Sequence, residues 1–180
     1  LIRFADDFII RLQLESDAQR LMEVLPKRFN RYSLELHPKK TRLIAFGKPA
    51  QKGKPQGTFD FLGFTYYWGK SLKGNWVIKK KTARKRRNRF MQMLWSWCKK
   101  HRHDSIRSQQ ETLCSKLMGF YQYFGVRSNF KVLEVAYEYA AIAWKHWLGQ
   151  RHRNGRLNYK KFSRLLTVYP LPRPRIVHNI

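Results

Sequence analysis

The chain has 180 residues, 43% hydrophobic and 15% aromatic, enough apolar material for one domain or two small ones, which excludes wholesale disorder. It carries 38 Lys+Arg against 11 Asp+Glu, a formal +27 that points to a polyanionic partner; an anionic membrane surface or a plainly solvated face is the competing reading. No apolar run reaches the roughly 20 residues of a bilayer span, no signal-peptide pattern opens the chain, and Leu1 falls inside an apolar run, as in a piece cut from a longer protein.

The opening LIRFADDFIIRL is apolar on both sides of Ala5-Asp6-Asp7. It predicts two buried strands joined by a tight turn, where short Asp side chains satisfy local backbone. Ala18, Leu21, Met22, Leu25 and Phe29 recur at helical spacing, with Ser16 or Asp17 as N-cap and Pro26 as a kink or restart. LELHPKKTRLIAFG predicts a short extended piece, a turn at His37-Pro38 and a strand over Arg42 to Phe46. Lys48 to Thr58 reads as a polar loop and FDFLGFTYYWG as an aromatic strand. A polar turn at Ser71 to Asn75 and the run Trp76-Val77-Ile78 complete a hairpin.

From Lys79 onward the pattern predicts helix. KKKTARKRRNR, residues 79–89, holds eight basic residues, and Phe90, Leu94 and Trp97 mark an apolar stripe. Ile106, Leu113, Leu117, Tyr121 and Phe124 mark a second, with Ser108 and Glu111 spaced as a capping box. Asn129 caps a third helix carrying Phe130, Leu133, Tyr137, Ala141, Trp144 and Leu148, and Asn158 a fourth with Phe162, Leu165 and Leu166. The tail YPLPRPRI reads as extended. The fold class is therefore α+β, with strands and a helix over residues 1–78 and a mostly helical part over 79–180.

Charge follows the same division. Residues 1–68 hold 12 basic and 7 acidic side chains, net +5, and residues 69–180 hold 26 and 4, net +22. Lys79, Lys80, Lys81, Arg84, Lys85, Arg86, Arg87 and Arg89 are candidate RNA contacts, since RNA is bound largely through phosphates and shape, with stacking where bases are free. A targeting signal or a solvated face is the alternative for this run. Most of Trp95, Trp97, Tyr121, Tyr123, Trp144 and Trp147 are expected to pack in the core, with Trp95 and Tyr123 the exceptions. Cys98 and Cys114 form no CxxC pair, which argues for a reducing compartment and against a zinc ribbon. The histidines, at 37, 101, 103, 146, 152 and 178, lack ligand spacing.

Adjacent carboxylates in a strand turn have one chemical use that stands out. They offer hard oxygen ligands to Mg²⁺ beside phosphates, and two such ions about 3.5–4 Å apart activate a 3′-hydroxyl and stabilise a leaving pyrophosphate. For a bare DD, a turn whose aspartates only cap backbone is the plainer reading. Context adds to it: FADD between apolar runs, a helix, LELHPKKT and FLGF follow the order of a reverse-transcriptase palm. KLMGFYQYFGVRSNFKVLEVAYEYAAIAWKHWLGQR and FSRLLTVYPLPRPRIVH look like a maturase-specific region and its ending. Over essentially its whole length the chain resembles the reverse transcriptase/maturase proteins encoded by bacterial group II introns, in which the first motif is usually YADD, so that Phe4 stands in place of tyrosine.

The resemblance implies an RNA-directed DNA polymerase using Mg²⁺, with Asp6 and Asp7 as the paired palm carboxylates and Asp6 foremost as metal ligand. Phe4 and Ala5 would lie by the incoming nucleotide or template, and Lys40 would touch phosphate or be a solvated turn lysine. Phe61, Leu62, Gly63 and Phe64 would support the primer's 3′ end, with Gly63 small to allow close backbone approach; a buried aromatic strand with a bulge is the plainer reading. Residues 1–78 would end the palm, and 79–180 would form a helical thumb and maturase-specific domain. That domain would close on an RNA template–DNA primer duplex, grip the group II intron RNA and assist splicing and mobility in a bacterial cytoplasm. A third carboxylate and the fingers are not found, so the parent is expected to polymerise DNA and this chain alone is not. The alternative is a non-catalytic maturase or basic RNA-binding module that keeps the palm as scaffold.

Overall fold

In a computed structural model that describes residues 1–151 and 157–179, the chain is α+β, with five α-helices and two small antiparallel sheets among the described residues. His152 lies outside them. The chain divides into two compact units, residues 1–62 with 67–78 and residues 63–66 with 79–180.

The first unit opens with β1 (Ile2–Phe4) and β2 (Asp7–Ile9), antiparallel, with Ile2 opposite Ile9 and Phe4 opposite Asp7. Ala5 and Asp6 make the expected turn, Ala5 at φ +49°. The strands are not buried as expected: Ile2 and Phe4 are 63% and 64% exposed. Two strands make a ribbon too small to bury both faces, and the cover it has is on β2, where Phe8 stacks on Phe29 at 5.9 Å. Phe29 belongs to α1 (Glu15–Asn30), which starts before Ser16 and Asp17 and has no side-chain cap at Leu14. The helix runs through Pro26, which has no N–H to offer the Met22 carbonyl.

Arg42 to Phe46 forms no strand. The stretch packs instead against a close-lying backbone, since a Cβ on Gly57 would collide with the Ala45 carbonyl. Phe46 meets Phe59 edge-on at 4.9 Å and stacks on Trp68 at 5.7 Å. The loop is further tied by Trp76 Nε1, which donates to the Ala50 carbonyl at 3.0 Å.

FDFLGFTYYWG is two strands rather than one. β3 (Phe59–Phe61) and β4 (Phe64–Lys70) reverse at Leu62 and Gly63, whose φ of +50° and +78° suit the primed turns that match strand twist. β5 (Trp76–Thr82) follows the expected turn, closed by Ser71 N donating to the Asn75 carbonyl at 2.8 Å, and completes the sheet order β3-β4-β5. It also takes in Lys79, Lys80 and Lys81, which the sequence placed in a helix. Side chains from far along the chain decide this. Ser128 Oγ accepts from Lys80 N at 3.2 Å and donates to the Lys80 carbonyl at 2.6 Å, and Asn129 Oδ1 accepts from Thr82 N at 2.9 Å.

The second unit adds α2 (Arg84–Lys100), α3 (Ile106–Phe124), a 3₁₀ turn (Arg127–Asn129), α4 (Phe130–Gly149) and α5 (Tyr159–Val168). Leu94, Leu113, Leu117, Leu133 and Trp144 are fully buried in its core, with Ala136, Ala140 and Ala143 along α4. Ser105, not Ser108, caps α3 by accepting from Ser108 N at 3.2 Å, while Glu111 pairs with Arg107 at 3.1 Å. Asn158 caps α5 as expected, accepting from Lys161 N at 2.8 Å. Gln109, 1% exposed, donates to the carbonyls of His101 and Asp104 and accepts from Trp144 Nε1, so every polar atom of that buried amide is used. The tail is pinned at Gly125, whose carbonyl accepts from Val177 N and His178 N at 2.8 and 2.9 Å. No helix among the described residues is long and apolar enough to cross a membrane.

Candidate nucleic-acid interface

Asp6 and Asp7 sit at the apex of the β1–β2 hairpin, both exposed. Neither has an ion-pair or side-chain hydrogen-bond partner among the described residues, in a chain with 38 cations. Arg3 turns its Nε to the Ala5 carbonyl at 3.0 Å and so braces the turn without neutralising the pair. Mg²⁺ keeps several waters and takes one or two carboxylates besides phosphate oxygens. The pair fits that demand in donor type and accessibility. It stands alone: no group of three or more His, Cys, Asp or Glu that could hold a metal ion occurs among the described residues. Phe4 faces Asp7 across the ladder and Ala5 is in the turn, so the FADD residues form one local cluster.

FLGF forms a second hairpin apex, in a different sheet from the acidic pair. Phe61, Leu62 and Gly63 are half-buried and Phe64 is buried. The reason for glycine at 63 is its positive φ and not a tight approach, because an added Cβ would meet only Phe124 at 3.6 Å and Arg86 Cγ at 3.8 Å, ordinary contact distances. Nor is the feature a bulge; it is the turn itself. Phe64 stacks under Tyr123 at 5.9 Å, meets Phe124 edge-on at 5.2 Å and lies under Lys80 Nζ at 5.6 Å. Lys40 is exposed on the His37-Pro38 turn, with its N–H bonded to the His37 carbonyl at 3.1 Å.

The basic run changes structure partway. Lys79, Lys80 and Lys81 alternate along β5, after which Arg84, Lys85, Arg86, Arg87 and Arg89 wind around the start of α2. Lys81, Arg84, Lys85, Arg86 and Arg89 are exposed, and Lys79, Lys80 and Arg87 half-buried. The first turn of α2 holds Arg84 to Arg87 and no acid, at the helix end whose dipole favours anions. The like charges of Arg84 to Arg87, crowded at this helix end, repel one another until an anion meets them. The bend from strand to helix is fixed from outside the run: Asn129 Nδ2 donates to Thr82 Oγ1 at 2.8 Å, and Ala83 N donates to the Gly63 carbonyl at 2.9 Å. Asn129, expected to cap the third helix, makes no side-chain cap there; its amide goes to Thr82, 47 residues away, which leaves no local signal.

Among the aromatics, Trp144 and Tyr121 are core residues, and Tyr123 is 54% exposed. Trp95 is half-buried, stacked on His146 at 4.9 Å and edge-on to Trp147 at 5.4 Å. Burial pushes the Cys98 thiol up to about 12 against a weaker opposing pull from Lys116, and it raises Cys114 as well. His101 stacks on Trp97 at 4.9 Å and holds Asp104 at 2.8 Å through Nδ1. Comparison with protein-family models, with curated proteins and with solved structures finds no match.

Proposed function

We propose that this chain is the end of the palm, the thumb and the maturase-specific region of a group II intron-encoded reverse transcriptase, an RNA-directed DNA polymerase that also binds its intron RNA and assists splicing and mobility. The observation that carries the reading is the state of the acidic pair: two exposed carboxylates at a hairpin apex, without a side-chain partner among the described residues, in a chain of net +27. Carboxylates that served the fold would be paired with some of those cations or capping backbone; free ones are available to a divalent ion. In this reading Asp6 and Asp7 hold Mg²⁺, which supplies Lewis-acid activation of a primer 3′-hydroxyl when bound. Phe4 offers a ring to the template or incoming nucleotide. The Phe61–Phe64 turn supports the primer end, and the cations of β5 and α2 neutralise phosphates.

The test is primer extension by the intact polymerase. Asp6→Ala and Asp7→Ala are each expected to abolish extension on an RNA template while intron RNA affinity stays within about threefold, because these exposed side chains make no bond among the described residues. Extension that survives both changes overturns the catalytic assignment and leaves the non-catalytic maturase, with its palm kept as scaffold, as the remaining reading.

A further inference from the structure

We infer that the groove between α2 and α4 binds an unpaired nucleobase of a single strand; this rests on the reading of the second unit as a nucleic-acid-binding one and names a subsite on it. Gln92, Trp95 and Ser96 of α2 and Tyr139 of α4 line an open cavity of about 210 Å³. That is below the roughly 300–1,000 Å³ of sites enclosing a drug-sized ligand, and it suits one planar ring.

The walls have the chemistry of base recognition. Trp95 supplies the stacking plane: half-buried, it packs against the buried cluster and is held in place by His146 at 4.9 Å, by Trp147 at 5.4 Å and by Tyr139 at 6.4 Å. The Gln92 amide and Ser96 hydroxyl are exposed at the rim, where they can bond a base edge. Exposed cations stand one helical turn to either side along α2: Arg89 three residues before Gln92 and Lys99 three after Ser96, with Lys99 Nζ 5.7 Å over the Trp147 ring. An aromatic platform flanked by phosphate-neutralising charge is the recurring design of single-strand sites. Net +22 over residues 69–180 favours a polyanion over a protein partner in this groove.

Photo-cross-linking with the unmodified protein tests this directly. Single-stranded RNA carrying 5-bromouracil is expected to cross-link to the peptides holding Trp95 or Tyr139, and a perfectly paired duplex of the same sequence is not. A matched DNA strand run in parallel tells whether the base comes from RNA or from DNA. Trp95→Ala should weaken single-strand binding by about 5- to 150-fold, the range for loss of one stacked base, with Trp95→Phe restoring most of it. Gln92→Glu, an exposed change that leaves packing alone, should weaken single strands and leave thermal melting unmoved. Cross-links that map elsewhere, together with wild-type affinity in Trp95→Ala and Gln92→Glu, overturn the groove while the basic surface stands. Absence of any nucleic-acid binding overturns both.

Discussion

Ala5 and Leu62 hold left-handed backbone, φ +49° and +50°, at the apices of the two hairpins that carry FADD and FLGF. A residue with a Cβ is disfavoured there by about 1–2 kcal/mol. Non-glycine residues kept in such conformations concentrate where geometry serves function. Leu62→Asn would convert the β3–β4 apex into Asn-Gly, the preferred pair for this turn, and should stabilise the fold by about 0.5–1 kcal/mol in urea unfolding. If Leu62 also positions a primer end, extension falls in the same variant whose stability rises; a gain in both would mean its side chain has no such role. At Cys98 the prediction concerns pH. Burial disfavours the thiolate and pushes the folded thiol up to about 12 from its ordinary 9.0. A raised folded value gives stability that is full below about pH 9 and is lost as pH climbs toward 12. Tyr121, also shifted upward by burial, acts in the same direction. Melting temperature should therefore fall between pH 9 and 11, and Cys98→Ala should flatten that slope whatever its effect on melting at pH 7.

The junction of β5 with α4 depends on one amide. Asn129, 1% exposed, bonds the Thr82 N–H and hydroxyl and the Phe124 carbonyl. Asn129→Ala strands the buried Thr82 N–H and hydroxyl, each at about 1–3 kcal/mol, while the Phe124 carbonyl keeps the Val126 N–H, so chemical denaturation should show a loss of about 2–6 kcal/mol. A loss under 1 kcal/mol would mean that water replaces the amide and that the latch is not needed. The same element shows where the sequence was legible. The four later helices follow from apolar residues at spacings of three and four, and Asn158 announced its cap. The β5 extension did not follow, because Lys79-Lys80-Lys81 carries no strand signal of its own; its ladder is with β4, and side chains of Ser128 and Asn129 hold the strand at Lys80 and Thr82. Arg42 to Phe46 looked like a strand from its apolar residues, yet it forms no ladder among the described residues and instead packs against the backbone at Gly57. Of the candidate site, the Ala5-Asp6 turn was legible, whereas Gly63, expected to be small for a close backbone approach, is set by its positive φ instead. What pattern could not convey was exposure. An apolar-DD-apolar run has the same spelling whether its strands are covered or, like Ile2 and Phe4, open to solvent.

At the scale of the molecule, charge sets two expectations that oppose each other. Net +22 over residues 69–180 and an acid-free first turn on α2 put repulsion and an unfavourable helix dipole in the same place. Each of Arg84, Lys85, Arg86 and Arg87 destabilises the helix start by about 0.3–1 kcal/mol at low salt. Binding by such a cluster releases condensed counterions, about 0.7 per neutralised phosphate on a single strand and 0.9 on a duplex. Changing all four to Gln should therefore raise the melting temperature of the free protein and lower its affinity for structured RNA. The plot of log K against log salt, taken between about 50 and 200 mM, should become shallower by about three units if all four meet phosphate. A merely solvated face predicts the first result without the second, and a cluster needed for packing predicts a fall in melting temperature. Only a surface kept for a polyanion gives a more stable protein that binds more weakly and responds less to salt.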